Sequence, residues 1–327
     1  MVYQTIGEIF EAFRQLRVLI IGDVMIDEYT FGSVSRLSPE APVPVVDVQK
    51  TEKRLGGAAN VALNVAALGA SPFLCSVVGD DHSGHEFINL LHSANLSSTG
   101  IVKSSHRMTT VKHRIMSSGK QILRIDQEDN FDLKEDEIRQ ILGQVKPMLS
   151  EIDLIIIQDY DKGVLSNEVI SQITALAKIH KIPVTVDPKF RHYFDYQSAA
   201  LFKPNLKEFA QNTGEKCNDD GQLIQLIEKW RVKSHHERIL VTLSDRGIAY
   251  SDQNQQGVIP AKVRSIADVS GAGDTVISIS SLGVALGLPV RLIAELANLG
   301  GGIVCETVGV IPIDRDQLMN EALSLQL

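Results

Sequence analysis

The chain has 327 residues, of which 44% are apolar and 5% aromatic, and it carries a formal net charge of −8. This length and composition fit one large α/β domain or two small ones and leave little room for a second full enzyme domain. The acidic balance excludes an overall basic surface for nucleic acid or an anionic membrane, so a small anionic substrate would need local basic clusters.

The cysteines and the N-terminus indicate a cytoplasmic protein. Cys75, Cys217 and Cys305 are odd in number, far apart and outside any metal-ligand spacing, which is typical of reduced thiols. The N-terminus predicts an amphipathic helix rather than a signal peptide, because apolar residues recur at helical spacing: Ile6, Ile9, Phe10, Phe13 and Leu16. The uncharged run 275–290 is shorter than the roughly 20 residues that a membrane span needs, so we interpret it as a core helix.

The first predicted strand covers residues 18–21, an apolar run that ends at Gly22 and is followed by Asp27. Between residues 35 and 48, three prolines forbid a central strand but allow an edge strand or an extended arm. We therefore predict an outlying flap over about residues 30–50. The alternative is an edge strand that proline guards against aggregation.

A glycine pair opens the next predicted helix, in the sequence Gly56-Gly57-Ala58-Ala59-Asn60. The helix continues to Gly69 with small and apolar residues, so it should pack tightly on both sides, and its glycines let a ligand approach the backbone. Asn60 is either a satisfied core amide or a ligand for sugar hydroxyls, and the sequence leaves both interpretations open.

A His-x-Gly-His sequence at residues 82–85 matches the signature with which nucleotidyltransferases bind a triphosphate. Four residues are a weak signal. Because they follow the predicted strand 73–78 at the start of a helix, we interpret His82 and His85 as surface histidines.

Residues 109–126 predict a β-hairpin, because two polar–apolar stretches flank Ser117-Ser118-Gly119. With the flap the hairpin would form a small lid sheet, with lid segments at about 30–50 and 107–127. This is the most basic region of the chain, and it contains Arg107, Lys112, Arg114 and Arg124. The cations either bind a phosphate or cover a solvated strand face. Lys112 and Arg114 are two residues apart and should share a strand face.

From Lys134 onward, predicted helices alternate with predicted strands at residues 153–157, 183–187, 199–203 and 238–243. This alternation is typical of right-handed βαβ units and a parallel sheet covered on both faces. Ligands bind such sheets at the carboxyl ends of the strands. We expect five polar residues there: Asp27, Asp159, Asp187, Asn205 and Thr242.

The sequence Ser270-Gly271-Ala272-Gly273-Asp274-Thr275 predicts a glycine-rich turn that opens the buried helix. The unpaired amides of a first helical turn form an anion site, and phosphate is the favoured guest. Asp274 would repel that anion unless it takes a proton from an attacking hydroxyl. We expect the helix N-terminus to lower the pKa of Asp274. The alternative is that Ser270 caps the helix and Asp274 only complements its dipole.

These motifs together resemble the ribokinase-like (PfkB) family of sugar kinases over nearly the whole chain. Gly56-Gly57-Ala58-Ala59-Asn60 resembles the sugar-binding motif of the family, Asn205-x-x-Glu208 its Asn-x-x-Glu motif, and Gly271-Ala272-Gly273-Asp274 its anion-hole and catalytic-base motif. The resemblance implies a ribokinase-like α/β fold in a single domain over residues 1–327. The implied fold has a mostly parallel central sheet with helices on both faces and a small β-sheet lid.

Within the family, residues 35–45, 187–189 and 203–205 resemble the heptose 7-phosphate kinases. The implied function is ATP-dependent phosphorylation of D-glycero-D-manno-heptose 7-phosphate at the anomeric hydroxyl, in ADP-heptose synthesis for lipopolysaccharide. Some such kinases are fused to a C-terminal nucleotidyltransferase. Because the chain ends soon after Asp274, we expect a separate nucleotidyltransferase in the pathway. The alternatives are a kinase for another phosphorylated sugar, such as a hexose phosphate, and a non-catalytic sugar or nucleotide sensor on the same fold.

The resemblance also implies roles for individual residues. The catalytic set is the base Asp274 with the amides of Gly271, Ala272 and Gly273. The substrate-binding set is Asp27, Gly56, Gly57, Asn60, Lys112, Arg114 and Arg124. The nucleotide-binding set is Asn205, Leu206, Lys207, Glu208, Thr242, Ser244, Gly247 and Asn298. ATP and Mg²⁺ are implied, with Glu208 holding the metal through water, and a monovalent cation is a further candidate cofactor.

Three positions depart from the family pattern. Ser244 stands where glycine is usual in the nucleotide loop, Asp161 where the heptose kinases usually have glycine, and Ser270 where threonine is usual.

The lid also predicts assembly. A sheet this small cannot bury its apolar residues alone, so we expect two lids to pack together in a homodimer through Val43, Val45, Val46, Val111 and Ile115.

Overall fold

The computed structural model describes residues 3–217 and 219–325; of the predicted domain 1–327, residues 1, 2, 218, 326 and 327 lie outside the described residues. In chain order the strands are β1 (Arg17–Gly22), β2 (Val24–Leu37), β3 (Pro44–Gly57), β4 (Ser71–Gly79), β5 (Ile101–Ser104), β6 (Val111–Ser117), β7 (Lys120–Gln127), β8 (Leu154–Gln158), β9 (Val184–Asp187), β10 (Leu201–Phe202), β11 (Ile239–Thr242), β12 (Ile248–Ser251) and β13 (Gln256–Ile259). The helices are α1 (Ile6–Phe13), α2 (Ala58–Ala67), α3 (His82–Ser93), α4 (Glu135–Val145), α5 (Asn167–His180), α6 (Leu206–Thr213), α7 (Asp220–Lys233), α8 (Ala272–Ala285), α9 (Val290–Val304) and α10 (Arg315–Ser324).

Within the described residues, the main sheet has nine strands in the order β13-β12-β11-β10-β9-β8-β1-β4-β5. The pairs from β11 to β5 are parallel, and β12 and β13 add antiparallel pairs at one edge. The predicted mostly parallel sheet is therefore confirmed. The sequence analysis did not predict the short strands β5, β12 and β13.

The central strand β1 explains why helices cover both faces of this sheet. Val18 and Ile20 belong to one apolar core, with α1, α2, α8, α9 and α10. Leu19 and Ile21 belong to a second core, with α4, α5 and α7. Alternate residues of a strand point to opposite faces, so a continuous apolar run can be stable only between two layers of helices.

The second sheet is the lid, which has four strands in the described residues, in the order β3-β2-β6-β7. β2 pairs antiparallel with β3 and parallel with β6, and β6 and β7 form the predicted hairpin. Pro39 and Pro42 lie between β2 and β3, and Pro44 begins β3 at the edge of the sheet, where a missing N–H is tolerated. The expected lid segments, 30–50 and 107–127, overlap strands that run over residues 24–57 and 111–127.

One expectation about the lid surface is wrong. Val111 is only 9% exposed, because it is the first residue of β6 and packs into the core beside Ile26. Val43 is 50% exposed, as expected, and Val45, Val46 and Ile115 are partly buried. In the part of the chain that the structure describes, no helix is both long and apolar enough to cross a bilayer.

Candidate active site

The glycine turn begins α8, and its conformation requires glycine. Gly271 is the N-cap, with φ of 81°, and a Cβ there would lie 3.0 Å from Asn60 Nδ2. The turn is therefore packed directly against α2. Ser270 does not cap the helix, because its hydroxyl donates to Asp268 Oδ1 at 2.9 Å. The alternative in which Ser270 is the cap is thus wrong.

The first turn of α8 is suited to an anion. The amide of Thr275 donates to Gly271 O at 3.0 Å and closes the turn, while the Ala272 amide makes a longer contact to Val269 O at 3.3 Å. First-turn amides have no partner within their own helix. Gly271, Ala272 and Gly273 therefore bring backbone donors to the point where Asp274 begins the buried part of the helix.

Asp274 is 3% exposed and receives hydrogen bonds from three elements. Asn60 Nδ2, on α2, donates to Oδ2 at 2.8 Å. Tyr160 Oη, in the loop after β8, donates to Oδ1 at 2.7 Å, and Gln158 Nε2, at the end of β8, lies 3.3 Å from the same oxygen. A buried carboxylate with this many donors is fixed in position before any substrate arrives.

The pKa of Asp274 differs from the sequence-based expectation. Burial raises the pKa of Asp274 to about 6, although the hydrogen bonds from Asn60 and Tyr160 oppose the rise. The expectation that the helix N-terminus would lower it was wrong, because desolvation of the carboxylate is the larger effect. Asp274 is therefore mostly ionised at neutral pH and more basic than an exposed aspartate.

The residues expected to bind sugar lie on β2, at the end of β3 and in the first turn of α2, the helix that packs against the glycine turn. Asp27 is 3% exposed, and a Cβ on Gly56 would collide with its Oδ2, so only glycine allows β3 to approach this carboxylate. Gly57 has φ of 61° and faces the backbone of Asp23. With Asn60, they form a cradle of polar groups and bare backbone beside Asp274.

The three lid cations have different surroundings. Arg114 forms an ion pair with Asp27, and its guanidinium lies 5.3 Å from the centre of the Tyr29 ring. Lys112 lies 3.9 Å from Glu128. Arg124 is on the exposed strand β7 and donates to Asp126 Oδ1 at 2.8 Å. The structure therefore places a carboxylate beside each of these cations, although Lys112 shares Glu128 with Lys162.

Asn205 and Glu208 form a capping box at the start of α6. Asn205 Oδ1 accepts from the Glu208 amide and Glu208 Oε2 accepts from the Asn205 amide, both at 2.9 Å. Glu208 is 3% exposed, and its other oxygen accepts from Lys189 Nζ. Leu206 is half-buried in the first turn of α6 and Lys207 is exposed. The Asn-x-x-Glu spacing thus has a structural role in addition to the expected nucleotide contact.

The other expected nucleotide residues lie around the end of β11. Thr242 bridges to Asn205, which joins this loop to α6. Ser244 has φ of 59° and Gly247 has φ of 102°, so the backbone at both positions favours glycine. This conformation explains why the family usually has glycine at the position of Ser244. On α9, Asn298 Nδ2 donates to Pro260 O at 2.9 Å, which ties α9 to the end of β13.

The sequence analysis assigned no role to several residues that the structure brings to Asp274. Tyr160 and Gln158 contact it directly, and Gln158 also donates to Asp187 Oδ2 at 3.1 Å. Lys203 is 2% exposed and pairs with Asp187 at 2.9 Å. The signal available in the sequence was their position, because these residues lie at the ends of strands β8, β9 and β10 or within two residues after them.

Comparison with known proteins identifies the family of this chain. Residues 15–316 match the model of the pfkB family carbohydrate kinases. The chain is 40% identical over 292 residues to the bifunctional protein HldE of Wolinella succinogenes, a match that covers 89% of this chain and 61% of that protein. It is 39% identical over 293 residues to the bifunctional protein HldE of Helicobacter acinonychis, covering 90% and 63%. The chain thus spans slightly less than two thirds of the length of these relatives.

Solved structures share the fold at lower identity. Phosphofructokinase-2 from Escherichia coli in complex with potassium has a TM-score of 0.82 at 19% identity, covering 95% of this chain and all of that one (100%). Arabidopsis thaliana ribokinase complexed with ribose and ATP has a TM-score of 0.72 at 16% identity, covering 93% and 98%. With the family match over residues 15–316, the chain belongs to the pfkB family and is a carbohydrate kinase with a ribokinase-like fold.

Proposed function

We propose that this kinase transfers the terminal phosphoryl group of ATP to the anomeric hydroxyl of D-glycero-D-manno-heptose 7-phosphate. The product is heptose 1,7-bisphosphate, in ADP-heptose synthesis for the lipopolysaccharide core. The observation that carries the proposal is Asp274, a buried and fully hydrogen-bonded carboxylate at the glycine turn, beside the cradle of Asp27, Gly56 and Asn60. The motifs shared with heptose 7-phosphate kinases and the similarity to the HldE proteins support this choice of sugar.

In the proposed reaction, the anomeric oxygen forms a bond to the terminal phosphorus while the bond from that phosphorus to the bridging oxygen of ADP breaks. Asp274 accepts the hydroxyl proton. With a pKa of about 6, it is ionised at neutral pH and basic enough to receive that proton as the new bond forms. The amides of Gly271, Ala272 and Gly273 stabilise the charge on the transferred group, so positioning and electrostatics carry most of the catalysis.

Glu208 fits an outer position in a magnesium site. Its two oxygens accept from Lys189 and from the Asn205 amide, so the carboxylate would hold a water of the metal rather than the metal itself. In the described residues, no group of three His, Cys, Asp or Glu side chains could hold a metal ion alone. When bound, Mg²⁺ neutralises charge on the ATP phosphates. Asn205, Leu206, Lys207, Thr242, Ser244, Gly247 and Asn298 complete the proposed nucleotide site.

A panel of acceptors tests the proposal. We expect kcat/KM for heptose 7-phosphate to exceed that for the unphosphorylated heptose by about 10-fold or more, because each lost charge-assisted contact is worth about 1.5–3 kcal/mol. It should also exceed that for hexose phosphates, whose phosphate is attached to a sugar chain one carbon shorter. Mass spectrometry should identify a bisphosphate product. A hexose phosphate as the best acceptor would favour the alternative kinase, and binding without turnover would favour the sensor. Repeating the curves with and without potassium tests the monovalent cation.

We also propose that the enzyme is a homodimer that assembles through the lid. The lid exposes large apolar side chains, which a second copy could cover: Val34 (39% exposed), Leu37 (63%), Val43 (50%), Val48 (62%), Ile122 (41%), Leu123 (54%) and Ile125 (52%). Light scattering at working concentration should give twice the chain mass, and a strictly monomeric mass would contradict the proposal. A cytoplasmic location, where ATP is available, belongs to the same hypothesis.

A further inference from the structure

Where the lid meets the body of the enzyme, two lysines share one carboxylate. Glu128 directly follows β7, Lys112 is on β6, and Lys162 lies in the loop after β8. Lys162 Nζ lies 2.8 Å from Glu128 Oε1 and Lys112 Nζ lies 3.9 Å from Oε2. The lysine side chains are only 16% and 17% exposed. A hydrogen-bonded ion pair between Lys162 and Glu128 thus links the body loop to the end of the lid hairpin.

The cluster has more positive than negative charge. The separation of 3.9 Å is too long for a hydrogen bond, and Glu128 Oε2 is a buried oxygen without a hydrogen-bond partner in the described residues. Burial lowers the pKa of Lys112, and the nearby charges of Lys162 and Arg124 lower it further against the opposing effect of Glu128 and Asp126. A second anion would therefore stabilise both ammonium groups.

The backbone around the cluster is firmly held. The Lys162 amide donates to the buried Asp23 Oδ2 at 3.1 Å, and its carbonyl accepts from Arg107 at 2.9 Å. Lys112 lies opposite Asp27 in the β2–β6 register. The same body loop carries Tyr160, which contacts Asp274, so each lysine is next to a residue of the proposed sugar site, Lys112 in strand register and Lys162 in sequence.

Arg114 is not equally available to an incoming anion. It is already paired with Asp27, which is only 5% exposed at its side chain, and it covers the Tyr29 ring. Recruiting Arg114 would leave a buried carboxylate without its partner, which is unfavourable. Lys112 and Lys162 can instead exchange the shared Glu128 for a phosphate.

We propose that Lys162 and Lys112 form the subsite for the remote phosphate of the sugar substrate, and that Glu128 holds the two ammonium groups in place until that phosphate binds. The inference rests on the proposed function, because it requires a phosphorylated sugar as acceptor. A phosphate has three acceptor oxygens and up to two negative charges, so it can bind both lysines, whereas a neutral sugar hydroxyl cannot compete with Glu128.

Two substitutions with opposite expected effects test this subsite. Lys162→Met should raise KM for the sugar phosphate by about 10- to 100-fold, since a charge-assisted contact is lost, and should change KM for ATP and kcat/KM for the unphosphorylated sugar by less than about 3-fold. Glu128→Gln should lower KM for the sugar phosphate several-fold, because the competing negative charge is removed while the shape is retained. Lys162→Arg should restore most of the affinity.

Lys53→Met is the matched control. Lys53 is also a lid lysine, and its side chain is 27% exposed. Its ammonium group lies 2.5 Å from the Glu86 carboxylate and is not part of the Glu128 cluster. It should leave all three KM values near those of the parent. If Lys162→Met does not fold, as judged by circular dichroism and thermal unfolding, Lys112→Met and Lys162→Gln replace it.

The outcomes separate the two hypotheses. A parent enzyme that shows no preference for a phosphorylated sugar overturns the proposed function. A parent that prefers the phosphorylated sugar, combined with Lys162→Met raising KM equally for phosphorylated and unphosphorylated sugars, overturns the subsite and leaves the function intact. An increase in KM for the sugar phosphate in Glu128→Gln would show that Glu128 is a structural partner and not a substitute anion, which also contradicts the inference.

Discussion

Asp274 in the glycine turn and Arg124 in the lid show two ways in which this fold holds charge. Asp274 is 3% exposed and accepts hydrogen bonds from Asn60, Tyr160 and Gln158, which come from separate elements. Arg124 is on a strand that is exposed along its whole length, and it pairs with a residue two positions away. The body therefore holds this carboxylate in position without a ligand, as the proposed base requires, whereas the lid has exposed charges and apolar surface, to which we assign substrate and a second copy.

The largest expected effect tests the body side of this comparison. Asp274→Asn should lower kcat by about 10²–10⁴-fold, because the amide keeps the shape but cannot accept the hydroxyl proton. Sugar phosphate and ATP should still bind with nearly unchanged Kd, measured by calorimetry. Near-normal turnover would remove Asp274 as the base.

The next effect tests the lid side. Arg114→Ala should raise KM for the sugar phosphate by about 10-fold or more and KM for ATP by less, because Asp27 in the sugar cradle loses its partner. If the remote phosphate binds Lys112 and Lys162, the same change should also raise KM for the unphosphorylated sugar. Lys162→Met should not do so.

Saturation curves for both sugars and for ATP distinguish these outcomes, and Lys53→Ala, at a lid cation that pairs with Glu86, is the control. Equal changes in KM for sugar and ATP in Arg114→Ala would argue that Arg114 supports the lid generally and does not act on the sugar.

A smaller effect tests how the body sets the basicity of Asp274. Tyr160→Phe removes the donor to Oδ1, which stabilises the carboxylate, so the pKa of Asp274 should rise above its present value of about 6. The acid limb of the kcat profile should move up by about one pH unit, which lowers kcat by up to about 10-fold below pH 6 and much less at pH 9. A profile that falls equally at every pH would contradict the prediction.

Tyr196→Phe is its control. Tyr196 is 2% exposed and donates to Asp159 Oδ2 at 2.7 Å, so it is another buried tyrosine that serves a carboxylate, but one without contact to Asp274. Its loss should leave the acid limb unmoved. A shift of the same size in both variants would attribute the effect to general loosening of the loop.

These differences also explain what the sequence could predict. The α/β body was predictable because period and length are local properties: the apolar run of β1, the helical spacing in α1 and the glycine turn before α8 are all contained in short windows. Contacts such as that of Tyr160 with Asp274 join residues far apart in the chain and leave no local pattern.

The pKa of Asp274 was predicted in the wrong direction for the same reason. The helix terminus, which lowers this pKa, is visible in the sequence, whereas the burial of the carboxylate by distant residues, which raises the pKa more, is not. The exposure expected at Val111 was wrong because β6 begins inside the core.

The smallest expected effect concerns the fixed body, at the two loop positions where the family prefers glycine. Ser244 and Asp161 have φ of 59° and 56°, which is unfavourable for a residue with a side chain by about 1 kcal/mol or slightly more. Ser244→Gly removes this strain but costs about 0.5–1 kcal/mol, because glycine gives the unfolded chain more conformational entropy. The net stabilisation should be about 0.5 kcal/mol, and Tm should rise by about 1–2 °C.

Asp161→Gly should instead lower Tm, because the Asp161 carboxylate accepts hydrogen bonds from the amides of Phe190 at 3.2 Å and Arg191 at 3.3 Å. Calorimetric unfolding of both variants measures the difference. A stabilised Asp161→Gly would mean that those two bonds contribute less than the backbone strain, and that this loop is less firmly held than the glycine turn beside it.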